Sequence, residues 1–374
     1  MNSRSFLSAA LAALVSVGAA GQARAADEIP YPALASRIVT ALKVSKGERV
    51  LLRVDPNDLG PLEAEVRKQL EAKGAVVESL KYGPAPDLAD RLARTDIYIW
   101  LPAGDDAQTP AEQRKLLAQW LDSGRGRQIH FHWNGGTRDA DGLPVKHTAA
   151  YDRVYVNALD IDYAALSRAQ DQAIALLRSD EVHVTTPAGT DLRFKIGDRP
   201  FNKQDGDASK ARTATAKVRV DYEIELPAGV LRVAPLESTA NGVLVVPKAR
   251  FGQTVVTKAR LEFVDGVVTK ATAESGGEAL DAFLKSAPGA SRFREFGLGF
   301  NPKLVVPPGE SALPYYGYGD AVVRLSLGDN EEVGGAVRGG GVRWLFFPDT
   351  TVTVGKTTLV KDGKLAAATV AGTR

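Results

Sequence analysis

The sequence predicts an α/β domain at the amino-terminal end and a β-rich α+β domain at the carboxy-terminal end. Between residues 31 and 133, apolar strand-like segments alternate with amphipathic helical segments, as they do in βαβ units. Beyond residue 179, short β-branched runs are separated by turns rich in Gly, Asn and Asp. The length of the chain, 374 residues, favours two domains.

The first 25 residues are predicted to be a signal peptide. A basic residue, Arg4, precedes an apolar run that extends to Ala20, and a small-x-small cleavage site follows at Ala23, Arg24 and Ala25. We therefore expect a mature chain that begins near Ala26 and is periplasmic or secreted. The sequence has no cysteine, so it offers no disulfide framework, no lipid-attached cysteine and no thiolate chemistry.

Helices and strands are predicted to alternate through the first domain, residues 26–178. Helical spacing of apolar residues predicts helices over 31–42, 61–73, 88–94 and 113–121, and apolar runs predict strands over 49–54, 75–81, 97–101 and 128–133. This order predicts a parallel sheet with helices on both faces. The turn after the first strand, from Asp55 to Gly60, lacks the glycine spacing of a dinucleotide-binding turn.

A long helical segment over 151–178, with a break at 160–162, is predicted to lead into the second domain, residues 179–374. Strands are predicted there over 182–186, 190–194, 217–225, 243–246, 259–263 and 267–273, with one helix over 277–285.

The stretch 292–349 is the most distinctive part of this domain. Apolar runs over 322–327 and 342–347 alternate with turns that are dense in Gly, Asn and Asp. One interpretation is a rigid loop scaffold that builds a site, and the other is a β-meander whose glycines only make turns.

Composition excludes several classes of function. The chain is 44% hydrophobic and 25% charged, with a net charge of +2, which is typical of a globular protein. It has neither the basic footprint of a nucleic-acid-binding protein nor a polybasic membrane patch. Beyond the predicted signal peptide, no apolar run is long enough to span a bilayer.

His130 and His132 are the local pair that suggests a metal. Residues two apart in a strand share a face, and these two lie near the end of a predicted parallel strand, where open sheets bind ligands. The alternative is a pair of hydrogen-bonded histidines at the end of the sheet. His147 and His183 stand alone in the sequence and are predicted to be structural or exposed.

Four segments carry a resemblance to a known family. They are VHVTTPAGTDLRFKI (182–196), LPAGVLRVAPLESTANG (226–242), EFGLGFNP (295–302) and LGDNEEVGG (327–335). In this order they resemble the signatures of the thermophilic metallo-aminopeptidases, the aminopeptidase T and aminopeptidase S group. The resemblance implies a two-domain protein, commonly a homodimer. It also implies a cleft in which the carboxy-terminal domain holds two divalent metal ions.

Most of the metal ligands that the resemblance implies are replaced in this chain. A ligand glutamate is matched by Glu295, but Val230 stands at the position of another glutamate and Arg324 at that of a histidine. The closing His-x-Asp pair of the family should fall within 341–349, where Val342 or Arg343 and then Trp344 stand. The catalytic tyrosine of the peptidases has no counterpart, because residues 329–332 occupy its loop. No histidine follows His183, so this loss does not depend on the alignment.

The replacements argue against the family's metal pair. Two divalent ions need several carboxylates and imidazoles to offset their mutual repulsion, and one glutamate cannot do this. Arg324 places a permanent positive charge where a ligand should be, and we expect it to form a charge-assisted hydrogen bond with Glu295. We therefore expect no cofactor, and zinc, cobalt or manganese only if the family site is somehow preserved.

Other oxygen ligands lie nearby in the sequence. Asp329, Glu331, Glu332 and Asp349 could join Glu295 in holding calcium or magnesium. The alternative is that Asp329 makes an Asx-type turn and that Glu331 and Glu332 lie in a solvated loop.

Two functions follow from the sequence. By resemblance, the chain is an exported aminopeptidase-like protein with a degenerate dinuclear site. The alternative is a cleft that binds a small anionic ligand or a peptide carboxylate without that site, through guanidinium groups and aromatic walls. The candidate residues are Arg232, Arg324, Arg338, Arg343, Tyr315, Tyr316, Tyr318 and Trp344. The chain has neither a cysteine nor a GxSxG motif, so a Ser-His-Asp or Cys-His mechanism lacks support.

Overall fold

The computed structural model describes residues 29–102, 109–133 and 148–366. The predicted signal peptide, His147 and the end of the chain lie outside the described residues. No helix in the described part of the chain combines the length and apolar character needed to cross a bilayer.

The described residues form eight α-helices. They are α1 (Tyr31–Leu42), α2 (Gly60–Ala72), α3 (Leu88–Ala93), α4 (Ala111–Asp122), α5 (Ala149–Leu159), α6 (Tyr163–Leu177), α7 (Lys210–Thr213) and α8 (Gly277–Leu284). The predicted break between α5 and α6 is confirmed. Its residue Asp162 caps α6, because its carboxylate accepts a hydrogen bond of 2.9 Å from the backbone N–H of Ala165.

Eighteen strands are present in the same residues. The first seven are β1 (Arg49–Val54), β2 (Val76–Lys81), β3 (Ile97–Trp100), β4 (Arg127–Phe131), β5 (Val182–Thr185), β6 (Asp191–Phe194) and β7 (Phe201–Lys203). Then come β8 (Glu223–Leu226), β9 (Val230–Val233), β10 (Asn241–Phe251), β11 (Thr254–Val264), β12 (Val267–Thr272) and β13 (Phe293–Gly299). The last are β14 (Val323–Leu327), β15 (Arg343–Phe347), β16 (Thr351–Val354), β17 (Thr357–Lys361) and β18 (Lys364–Leu365).

The first sheet is parallel, in the order β2-β1-β3-β4-β8. Side chains alternate between its two faces, as β1 shows. Val50 and Leu52 pack into the main core with α1 and α2, whereas Leu51 packs with Leu88 of α3 and Trp120 of α4. The predicted parallel sheet with helices on both faces is therefore confirmed.

Two antiparallel sheets make the β-rich part. One has the order β12-β11-β10-β6-β5-β16-β17-β18, and the other has the order β15-β14-β13-β9-β7. Every residue of β9, β13 and β14 is buried, so this second sheet is a central layer.

The strand β8 crosses the predicted boundary at residues 178 and 179. It belongs by sequence to the second half, yet it pairs with β4 of the first sheet. The prediction of one strand over 217–225 is wrong for its first half, because Arg219–Tyr222 is a 3-10 helix. The Asp221 carboxylate accepts hydrogen bonds from the backbone N–H groups of Lys217 and Val218, which closes a local turn there.

Candidate functional site

A buried ion-pair network surrounds Glu295 on β13. Its carboxylate accepts hydrogen bonds from Arg232 on β9, at 3.0 Å from Nε to Oε1 and 3.2 Å from Nη2 to Oε2. Arg324 on β14 donates from Nη2 to Oε1 at 2.5 Å, and Arg294 donates from Nη1 to Oε2. The side chain of Glu295 is 0% exposed. Three guanidinium groups thus saturate one carboxylate, and the predicted bond between Arg324 and Glu295 is confirmed.

Glu332 completes the network from a 3-10 turn, Glu331–Val333. Its Oε1 accepts from Nη2 of Arg232 at 2.9 Å and from Nη2 of Arg294 at 2.5 Å. Burial opposes its charge, but the charges of Arg232 and Arg294 outweigh burial and lower the pKa of Glu332 to about 2. Burial, and then the charge of Arg232, lowers the pKa of Arg324 to about 9.

A cleft of about 180 Å³ opens beside this network, at the carboxyl ends of β4 and β8. The cleft lies where the parallel sheet meets the central antiparallel sheet. The two sheets are adjacent there because only Pro227, Ala228 and Gly229 separate β8 from β9. Its lining residues are His130, His132, Gln204, Val220, Glu223, Glu225, Arg232, Tyr316, Tyr318, Arg324, Glu332 and Trp344.

The two histidines of the HFH segment lie on this cleft with two glutamates of β8. In the parallel register, His130 is opposite Glu225. Nδ1 of His130 is 2.7 Å from Oε1 of Glu223, and the hydroxyl of Tyr318 donates to Oε2 of Glu225. Three potential ligand atoms, one from each of His130, His132 and Glu225, lie within 4.8 Å of one another.

His132 is the unusual member of this group. It is 5% exposed, and neither ring nitrogen has a hydrogen-bond partner in the described part of the chain. Aromatic rings surround it, with Trp100 at 5.2 Å and Tyr315 at 4.7 Å between ring centroids. Burial, and then the proximity of His130, lowers the pKa of His132 well below its usual range, so its imidazole is neutral at neutral pH.

Of the other residues predicted to line the cleft, some do and others do not. Tyr316 and Trp344 line the cleft together, with ring centroids 5.4 Å apart. Arg343 is outside the cleft lining, and its guanidinium lies over the ring of Phe251 at 5.1 Å. The prediction that Arg343 lines the cleft is therefore wrong, because neighbouring residues on β15 point to opposite faces.

The acidic loop forms turns and exposed pairs. The carboxylate of Asp329 accepts hydrogen bonds from the backbone N–H groups of Glu331 and Gly339, at 3.0 Å and 2.8 Å, so the Asx-turn alternative is confirmed. Glu331 forms an exposed pair with Arg338 at 3.3 Å, whereas Glu332 turns inward to the network. His183 is 2.7 Å from Asp191, away from the cleft.

Glu223, Glu225 and Arg294 are the site residues that sequence reasoning missed. The EIEL segment of β8 alternates with period two, which places both glutamates on one face, as HFH does for the histidines. That signal was present, but the pairing of β8 with β4 joins residues about 95 positions apart and leaves no local mark in the sequence.

Comparisons with known proteins agree with this fold. The sequence model of the thermophilic metalloproteases (M29) matches residues 162–305. The structure of AmpT from Thermus thermophilus matches with a TM-score of 0.61 at 15% identity, over 90% of this chain and 99% of that one. The structure of 2,5-dihydroxypyridine dioxygenase from Pseudomonas putida KT2440 matches with a TM-score of 0.60 at 16% identity, over 90% and 97%. A search of the curated proteins finds no match.

Fold and site together define a protein with the aminopeptidase T-like fold and a cleft between a parallel and an antiparallel sheet. Residues 162–305 match the model of the thermophilic metalloprotease (M29) family, which the sequence signatures resemble. At these identities the two solved structures show the fold alone, which confirms the predicted aminopeptidase T-like architecture.

The dinuclear metal centre that this family implies does not fit the residues present. Glu295 has no lone pair left for a metal, because its two oxygens accept four hydrogen bonds from three guanidinium groups. Val230 is buried and apolar, and Arg324 is 3% exposed with its charge beside Glu295. Two cations at this position would face three guanidinium groups, so the network takes the place of the metal pair.

Proposed function

We propose that this chain binds a small carboxylate-bearing molecule in the cleft and does not hydrolyse peptides with a dinuclear metal centre. The observation that carries the proposal is the state of Glu295, which is fully buried and bonded to three arginines. The metal-ligand position that Glu295 matches is thereby occupied by arginines, while the cleft beside it stays open.

Two residues of the cleft lining, Arg324 and Trp344, have buried hydrogen-bond donors without a partner in the described part of the chain. Arg324 uses Nη2 for Glu295, but its buried Nε has no partner in the described part of the chain, and the same holds for the indole N–H of Trp344. Buried donors without partners are costly, so an incoming oxyanion that accepts from them binds favourably. The guanidinium of Arg324 is 5.6 Å from the ring of Tyr318 and 6.0 Å from that of Trp344, which supplies aromatic walls.

The size of the cleft sets the class of ligand. Its volume, about 180 Å³, is below the roughly 300–1,000 Å³ of pockets for drug-sized molecules. Glu223 and Glu225 also line the cleft and add negative charge to the positive charge of Arg232 and Arg324. A single amino acid or a short peptide end, with an ammonium group and a carboxylate, matches both signs of charge.

Binding can be tested by titration calorimetry on tag-free, chelator-treated protein, with free amino acids, dipeptides and simple carboxylates. We expect binding that weakens at least tenfold in Arg324→Gln and in Trp344→Phe, which removes the indole N–H and keeps an aromatic ring. Arg343→Gln is the matched control and should bind as the wild type does, because Arg343 lies outside the cleft lining. Absence of binding across the panel, or unchanged binding in both cleft variants, would overturn the proposal.

The second candidate is an aminopeptidase-like hydrolase, which the match to the M29 family supports. An assay on aminoacyl chromogenic substrates with added zinc, cobalt or manganese separates the two candidates. Turnover by the wild-type protein that depends on added metal and is lost with chelator would establish the peptidase and contradict our proposal. We also propose, from the signal-peptide pattern of the sequence, that the protein acts after export.

A further inference from the structure

We propose that His130, His132 and Glu225 form a site for one divalent transition-metal ion, separate from the Glu295 network. The inference deepens the proposed function and rests on it for the role of the cleft. The metal itself can be measured without any organic ligand.

The three side chains present free ligand atoms to a common space. Nδ1 of His130 is engaged by Glu223, which leaves Nε2, and Oε2 of Glu225 is engaged by Tyr318, which leaves Oε1. One ligand atom of each side chain lies within 4.8 Å of the others. Ligands around a tetrahedral zinc ion are roughly 3.3 Å apart, so binding draws the side chains slightly inward.

His132 supplies an independent observation that points to a ligand. Its imidazole is more than nine-tenths buried, and neither nitrogen has a partner in the described part of the chain. Buried ring nitrogens are normally satisfied by hydrogen bonds. His130 is close by, with ring centroids 4.0 Å apart, so a metal ion between the two imidazoles satisfies a nitrogen that is otherwise left bare.

The surrounding hydrogen bonds are those that orient metal ligands. A metal-bound histidine generally donates its other ring N–H to a carboxylate, a backbone carbonyl or water. Carboxylates that bind a metal are themselves hydrogen-bonded. Glu223 takes the first role for His130, and Tyr318 takes the second for Glu225.

Charge favours this position over the Glu295 network. Two carboxylates, Glu223 and Glu225, lie next to the two imidazoles here, and they can offset the charge of one divalent ion. Arg232 and Arg324 also line the cleft, but both are bonded to Glu295.

The donor set defines the class of metal. Two imidazole nitrogens and one carboxylate oxygen suit zinc and the neighbouring first-row ions, whereas calcium and magnesium prefer oxygen ligands alone. Three protein ligands leave at least one coordination position open. The carboxylate of the proposed small ligand can occupy it, which joins the two proposals at one cleft.

Zinc binding should be measured by titration calorimetry on tag-free, full-length protein stripped of metal with chelator. We expect one zinc ion per chain, and at least a hundredfold weaker binding in His132→Phe and in Glu225→Gln. The first variant keeps an aromatic ring, and the second keeps the volume of the side chain. Glu223→Gln should weaken binding about tenfold, as loss of an outer partner does. His183→Ala is the control and should bind zinc as the wild type does.

Thermal unfolding in the presence of chelator checks that each variant is folded. No zinc binding by the wild type would overturn the inference. Zinc binding that His132→Phe and Glu225→Gln both retain, and that Glu295→Gln loses, would also overturn it. If the wild type binds zinc but none of the carboxylates, the proposed function is refuted and the metal site stands. If it binds a carboxylate but no zinc, the metal site is refuted and the proposed function stands.

Discussion

At the scale of single residues, Glu295 governs the site because its charge is cut off from water and must be neutralised by protein groups. Arg232, Arg294 and Arg324 provide this neutralisation, and Glu332 binds two of them in turn. Removal of one member from a buried network of this kind leaves charges without partners, which costs more than the pairs contribute.

Glu295→Gln is expected to reduce the free energy of unfolding by about 3–5 kcal/mol, because Arg324 would lose its carboxylate partner and Arg232 and Arg294 would share only Glu332. Urea denaturation measures the change. Glu331→Gln is the matched control, since Glu331 and Arg338 are 54% and 52% exposed, and its cost should stay within about 0.5 kcal/mol. Equal costs for the two variants would show that the network is not the neutralising unit described here.

Sequence reasoning reached part of this residue-scale arrangement. The pairing of Glu295 with Arg324 was predicted from the family resemblance, which places the two opposite charges at ligand positions of one site, and it is confirmed. The contribution of Arg294 could not be predicted, because consecutive residues in a regular strand face opposite ways. The register between β13 and β14 shifts between Phe293 and Glu295, and an irregularity of this kind re-aims a side chain.

At the scale of elements, the link from β8 to β9 sets the geometry of the cleft. Gly229 adopts a φ of +153°, and its carbonyl accepts a hydrogen bond of 2.7 Å from the N–H of Phe300. A Cβ at this position would lie 2.6 Å from Cβ of Asn301 and 2.9 Å from the carbonyl oxygen of Tyr318. The link therefore requires glycine for both its conformation and its space.

Gly229→Ala should cost at least about 2 kcal/mol of unfolding free energy, from backbone strain and overpacking together. It should also weaken ligand binding, because Tyr318 lines the cleft. Gly252→Ala is the control, since Gly252 has a φ of +58° and nothing within 4 Å of the added Cβ. We expect it to cost about 1 kcal/mol, the strain alone. If chemical denaturation shows the same loss of unfolding free energy in the two variants, the close approach at Gly229 does not contribute to stability.

The elements themselves were predictable to different degrees. The amphipathic helices and apolar strands of the first domain agree with the prediction to within a few residues, because both periodicities are local. The strand β13, whose residues are all buried, was not predicted as a strand, since it carries two charged residues without alternation. Those charges are satisfied by partners from other strands, which no local pattern reports.

At the scale of the whole molecule, the cleft exists because the chain returns from the second half to the first sheet. The predicted domains, 26–178 and 179–374, describe the order of the chain, but β8 lies beyond the predicted boundary and extends the parallel sheet. One hydrophobic core includes residues from both halves, such as Val50, Ile129, Leu226 and Leu298. Sheet membership depends on long-range pairing, so the sequence could predict the family's fold by resemblance but not the meeting of His130 with Glu225.

The most direct test of the central claim is an anomalous difference map at the zinc absorption edge, from crystals of the tag-free protein grown with zinc. Our account predicts one peak in contact with His130, His132 and Glu225, and no peak within bonding distance of Glu295. A pair of peaks bound to Glu295, with the arginines displaced, would contradict it.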